Sequence, residues 1–234
     1  MRKRLFQGFP RESMTFFNEL AENNERMWFA AHKEDYENYV LEPARQFVLE
    51  MGGMLQQINP DIIFEPKTDK SIFRLHRDIR FSKNKLPYKN HLGIFFWEGF
   101  GKKMECSGYY FHFQPPTLML GAGIHTFSPQ MLKTYRQAVV DDEMGPELVK
   151  AIEKIKNEGY EIGGKHYKRV PHGFDPENAN KDLLLHNGLY AALDEPIPDV
   201  FYSDELLFYC FDKYKDMKPL YDWLVKMTEK VARF

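Results

Sequence analysis

Residues 92–125 read LGIFFWEGFGKKMECSGYYFHFQPPTLMLGAGIH, and this stretch decides the fold. Leu92–Glu98 is apolar at consecutive positions, the pattern of a strand covered on both faces and central in its sheet. Gly99 to Lys103 predicts a hairpin turn. Ser107–Gln114 predicts a second strand, ended by Pro115-Pro116, and 117–125 a third. Connections this short join antiparallel neighbours. Helical patterns precede and follow the strands. The expectation is an α+β fold with a central antiparallel sheet flanked by N-terminal and C-terminal helical blocks. The 234 residues hold no internal repeat and no low-complexity linker, which predicts a single α+β domain over 1–234.

Immediately upstream, residues 69–91 read DKSIFRLHRDIRFSKNKLPYKNH. Taken as an extended strand, 72–82 sorts into two faces, because successive side chains point to opposite sides. Phe73, Leu75, Ile79 and Phe81 share one face, with Arg77 the exception. Arg74, His76, Asp78, Arg80 and Ser82 share the other. A loop with Lys83, Lys85, Tyr88, Lys89 and His91 follows.

The flanking segments read as helices with signals at their ends. Ser13 is placed to cap a helix to about 23, and Asn24 a second that carries Trp28, His32, Tyr36 and Tyr39 at helical spacing. Pro43 suits the first turn of a third. Ser128-Pro129 opens a helix to about 140, and another runs over 146–158. Gly163-Gly164 reads as a turn before a short strand-like run to Val170. A short helix over 181–187 is stopped by Gly188. Ser203 caps a helix to about 215, and Pro219 starts the last one.

Composition narrows the function classes. A hydrophobic fraction of 43% with 15% aromatics excludes a disordered chain. The net charge of −2 argues against general affinity for nucleic acid or acidic membranes. Residues 67–91 nevertheless hold eight Lys and Arg against two Asp, a local +6, so the remainder sums to −8. A basic island in an acidic protein points to a local anion site. Two cysteines, Cys106 and Cys210, make no metal motif and fit a reducing compartment. The N-terminal residues lack the apolar run of a secretion signal, and no stretch approaches the ~20 apolar residues of a membrane span. A soluble, cytoplasmic protein is expected, with no membrane partner.

Several runs resemble the bacterial and fungal family catalogued as domain of unknown function 2461. They are Gly8-Phe9-Pro10, Phe16-Phe17, Asn23-Asn24, the Trp28–Tyr36 helix, Gly108-Tyr109-Tyr110, Gly121 and Gly123, Tyr135-Arg136 and Arg169 to Phe174. The most specific is Arg77-Asp78-Ile79-Arg80-Phe81-Ser82-Lys83, continuing through Lys85, Pro87-Tyr88-Lys89 and His91. The resemblance spans nearly the whole chain and implies one domain. It implies no particular activity, so function is argued from the site.

The chemistry suggested by the residues is anion recognition. Arg offers a planar fork for phosphate or carboxylate, and Lys a mobile point charge. Arg74, Arg80, Ser82, Lys83, Lys85, Tyr88, Lys89 and His91 are the candidate substrate-binding residues. His76 is the candidate general acid or base, with Asp78 to orient it. The bland alternative is an Asp78–arginine pair on a solvated sheet face. His91, His112 and His125 fall near strand ends and are candidates to converge. No compact ligand motif occurs, so no metal residues are assigned, and no cofactor is specified. Gly121 and Gly123 fit a bulge or a close ligand approach. Arg136 and Arg169 are further candidate cations, with structural ion pairs as the alternative. The expected function is an enzyme or binding domain for a phosphorylated or carboxylated small molecule, nucleotides included, using the basic segment 69–91. The alternative is a non-catalytic docking module for an acidic protein or a nucleic-acid backbone, the less favoured partner.

Overall fold

Leu92–Glu98 forms β1 and is buried on both faces, as its apolar run predicts. Ser107–Gln114 forms β2 and Thr117–Ile124 forms β3. The structure, a computed structural model, describes residues 4–99 and 102–232. The predicted turn at 99–103 includes residues 100 and 101, which lie outside the described residues. Glu161–Lys165 forms β4 and His186–Pro196 forms β5. The five strands make one antiparallel sheet in the order β1-β2-β3-β5-β4, so the fold is α+β.

The sheet departs from the sequence reading in three places. β1 is terminal in the strand order, not central. Its outer edge is covered instead: residues 71–73 lie along it, with Phe73 N donating to Gly93 O and Phe95 N to Ser71 O, both at 2.9 Å. β5 has no counterpart in the sequence reading. Its run HNGLYAALDEP carries Gly, Asn, Ala and Pro, which are poor strand formers, and sheet pairing overrides that preference. Gly163 and Gly164 are inside β4 and not in a turn. Gly163 pairs with Tyr190, and a Cβ on it would sit 2.3 Å from the Tyr190 ring.

The helices are α1 (Arg11–Glu22), α2 (Arg26–Ala31), α3 (Lys33–Asp35) and α4 (Glu42–Leu55), with a π-helical turn at Tyr36–Leu41 leading into α4. Later come α5 (Pro129–Val139), α6 (Met144–Asn157) and α7 (Glu205–Ala232). Ser128 caps α5 as expected, accepting from Met131 N. Ser13 does not cap α1. It lies inside the helix, buried, with its hydroxyl on Pro10 O at 2.7 Å. Pro219 does not start a helix, because α7 runs through it. The buried stripe Cys210, Tyr214, Met217, Tyr221 and Leu224 continues on both sides of the proline, so packing outweighs one lost backbone bond.

The chain divides into two compact units. The first comprises Met1–Phe96, Tyr110–Leu120 and Asp194–Asp212. Its core is a phenylalanine cluster: Phe9 stacks on Phe111 and Phe201, and Phe47 packs on Phe6 and Phe111. The second comprises Trp97–Tyr109, Gly121–Leu193 and Lys213–Phe234. There Tyr109 stacks on Tyr221 at 4.5 Å. The polar tips of its large side chains are satisfied: Tyr221 donates to Glu98, Tyr135 to Leu183 O and Trp223 to Met144 O. No described helix is long and apolar enough to cross a membrane.

Candidate functional site

The basic segment belongs to the first unit and is extended without being a continuous strand. A tight turn starts it: Asp69 adopts φ 66° and its N–H donates to Ile72 O, while the Ser71 hydroxyl accepts from Glu65 N. Ile72 then bridges to Ile94 of β1. Farther on the chain doubles back. Lys89 N donates to Leu75 O and Arg77 N to Pro87 O, both at 2.9 Å, with His76 and Tyr88 as the bridged pair. The predicted strand over 72–82 therefore stops pairing after Arg77. Beyond it Phe81 is 94% exposed, so the greasy face ends at Leu75.

Asn24 fixes this arm to the helical block. The sequence places Asn24 as a helix cap, but Glu25 occupies the cap position of α2. The buried Asn24 amide instead donates to Tyr88 O at 3.1 Å and its carbonyl accepts from Tyr88 N at 3.0 Å. One side chain thus satisfies both main-chain groups of a buried residue. The Tyr88 ring stacks on Phe29 of α2 at 4.5 Å, and His76 meets both rings edge-on.

Against this arm lies a cavity of about 240 Å³, bordered by Arg77 and Lys89, by the amides of Asn24, Asn84 and Asn90, and by Ala21, Leu86 and Tyr88. No carboxylate lines it. Among the described residues neither Arg77 nor Lys89 has an acidic partner within ion-pairing distance. The Lys89 ammonium sits 5.5 Å over the Phe73 ring. Burial, then repulsion from Arg74 and Arg77, pushes its pKa down, with Asp69 pulling the other way. A partly desolvated cation with no counter-charge in ion-pairing contact is costly, and a bound anion would relieve that cost.

The ionic row read from the sequence is arranged differently. Asp78 and Arg80 form an exposed two-bonded pair at 3.0 and 2.7 Å. Hydrogen bonds from Arg80 hold the Asp78 carboxyl down at about 2. Asp78 therefore engages Arg80, and His76 lies against Phe29 and Tyr88. Arg74 and Lys83 are exposed, Ser82 is half-buried, and the Lys85 ammonium donates to Ile79 O at 3.0 Å. Of the predicted binding residues, Tyr88 and Lys89 border the cavity. Arg77, set aside in the sequence as the exception on the apolar face, borders it with them. The available signal was that very exception, since a charge among apolar neighbours is the informative observation.

His91 and His112 converge, with ring centroids 4.3 Å apart, and Tyr110 is hydrogen-bonded to His112 Nδ1 at 3.0 Å. Burial, then the neighbouring His112, Lys89 and Arg77, pushes His91 down to about 4. Burial also lowers His112, against the pull of Asp194. In the second unit, His125 stacks on Tyr190 and bonds Thr126, and Arg136 lies 4.7 Å over the Tyr167 ring. Gly123, at φ 136°, lets β3 approach β5, since a Cβ there would sit 2.4 Å from Leu189 O. Among the described residues no three His, Cys, Asp or Glu side chains cluster as a metal site.

A family model described as "Conserved hypothetical protein (DUF2461)" matches residues 12–223. The chain belongs to this family. The match takes in α1 from its second residue, the Asn24–Tyr88 clamp, the cavity residues and the whole sheet, so the DUF2461 region contains every residue of the candidate site. None of the curated proteins compared with the chain matches it.

Proposed function

We propose that the protein binds a small phosphorylated or carboxylated molecule at the Arg77–Lys89 cavity, as an enzyme or a binding domain. One observation carries this reading: two cations without acidic partners border a cavity whose other polar lining is amide. Amides donate to anionic oxygens without adding charge, and the guanidinium fork matches phosphate or carboxylate. A volume of about 240 Å³ suits an inorganic or few-carbon anion. It also suits the phosphoryl end of a nucleotide whose remainder projects outward. Thermal-shift and calorimetric titration with phosphate, pyrophosphate, citrate and nucleoside phosphates test it. A stabilising hit that vanishes in both Arg77→Ala and Lys89→Ala supports the site. A panel without hits, or a hit that survives both substitutions, refutes it.

A second reading rests on the arm's tip. Phe81 is 94% and Leu86 46% exposed, beside the exposed Lys83 and Lys85. An apolar tip with lysines is suited to docking on an acidic protein or a nucleic-acid backbone. Such docking weakens steeply with salt, whereas binding in the cavity is less sensitive. Binding that follows Phe81→Ser instead of Arg77→Ala favours this second reading.

A further inference from the structure

The outward side of β2 carries a cluster that anion binding alone does not require. Tyr110 and His112 are two residues apart on one strand and share a face. The Tyr110 hydroxyl lies 3.0 Å from His112 Nδ1, and the His91 ring lies beside His112 at a tilt of 31°. Phe73 meets Tyr110 edge-on, and the Lys89 ammonium lies over Phe73. Lys89 is thus common to the cavity and the cluster. Glycine at 93 is part of the arrangement, because a Cβ there would stand 2.8 Å from the Tyr110 hydroxyl and 3.1 Å from the Phe73 ring.

We propose that His112, with Tyr110 as its positioning residue and His91 beside it, is the proton-transferring group of the anion site. The inference rests on the reading that an anion binds at Arg77 and Lys89. The groups facing the imidazoles are Tyr110 from β2, Lys89 and Arg77 from the basic segment, and Asp194 from β5. Burial pushes the Tyr110 hydroxyl up to about 12, so it stays protonated; in this arrangement its oxygen accepts from His112 Nδ1–H, which leaves the lone pair on Nε2. Burial keeps both imidazoles neutral at pH 7, aided by Lys89 at both rings and by Arg77 at His91, with Asp194 opposing at His112. A bound anion offsets the field of those cations. Imidazole basicity therefore rises only when the molecule is in place.

The step balances without a co-reactant. An O–H or acidic C–H bond of the bound molecule breaks, its electron pair stays on the oxygen or carbon, and the proton joins the imidazole lone pair. The new negative charge lies under Lys89 and Arg77, and the reverse transfer restores the neutral imidazole.

The test is a pH titration of the ¹⁵N-labelled full chain, following the imidazole nitrogens with and without pyrophosphate. Pyrophosphate should raise the pKa of His112 or His91 by about half a unit to one unit. Calorimetry in two buffers of different ionisation enthalpy should show more proton uptake on binding by the parent than by His112→Gln, because the ionisation of pyrophosphate itself is common to both. His112→Gln should still bind pyrophosphate, and Tyr110→Phe should change the His112 titration. Pyrophosphate bound with both histidine curves unmoved overturns this inference and leaves the anion site standing. Failure of the whole anion panel to bind, pyrophosphate included, overturns both.

Discussion

Arg77 and Arg80 lie three residues apart in the same basic segment and have opposite surroundings. Arg80 is 75% exposed and carries its own carboxylate, Asp78. Arg77 is half-buried, follows the arm's last bridged residue, and meets Lys89 at a cavity without an acid. A residue's charge therefore says little about whether it is free to bind a ligand. What decides is whether the fold supplies the counter-charge. A neutralised exposed pair contributes little to stability or recognition. Unneutralised cations in a partly dry setting retain an electrostatic cost that a counter-charge would relieve.

The contrast is broken most directly by exchanging the two arginines' roles. Arg77→Ala should weaken pyrophosphate binding by roughly ten- to hundredfold, the scale of a lost charged hydrogen bond. Arg80→Ala should leave the affinity within about twofold. Isothermal titration reads both, and equal losses would erase the distinction drawn between them. Lys89→Met should weaken binding on the scale that Arg77→Ala does, yet hold or raise the melting temperature of the unliganded protein, because it removes a poorly solvated ammonium.

Asn24→Ala sharpens the comparison from the side of stability. It leaves the N–H and C=O of buried Tyr88 without their partner, at a cost of about 2–3 kcal/mol in urea unfolding. The cavity should lose affinity as its arm loosens. An unchanged unfolding midpoint would show that the clamp is dispensable.

The pH dependence of stability gives a smaller effect of known sign. His91 is held at about 4 against an ordinary 6.5, so between those values the unfolded chain takes up a proton that the folded chain refuses. Stability from this group is complete above pH 6.5, falls as pH drops toward 4, and levels below it. The slope is at most ~1.4 kcal/mol per pH unit. His91→Gln should flatten that limb of a melting-temperature profile, and an unaltered profile would contradict the assigned burial. Smallest of all, Asp78→Asn should leave the urea-unfolding midpoint where it is, since the pair it breaks is solvated.

The three strands over 92–124 were legible because each is a run of apolar or alternating aromatic residues bounded by prolines or glycines, a local signal. β5 was not, because its residues prefer other conformations and only the pairing with β4 makes them a strand. The continuous α7 was missed for a related reason: Pro219 is a strong local stop signal, overruled by a buried stripe that exists only once the helix is packed.

The site divides in the same way. Sequence alone determined that residues 67–91 concentrate positive charge and that the chain is an α+β member of its family; it also singled out Tyr88 and Lys89, two of the residues that border the cavity. Tertiary structure alone decided which cations are spent and which remain. Asp78 can satisfy Arg80 because both lie on one exposed turn. Arg77 and Lys89 are brought together only by the doubling back of the arm that Asn24 secures. Local pattern follows from neighbours in the chain. Neutralisation and desolvation depend on neighbours in space, and those come from residues as distant in sequence as Asn24 and Tyr88.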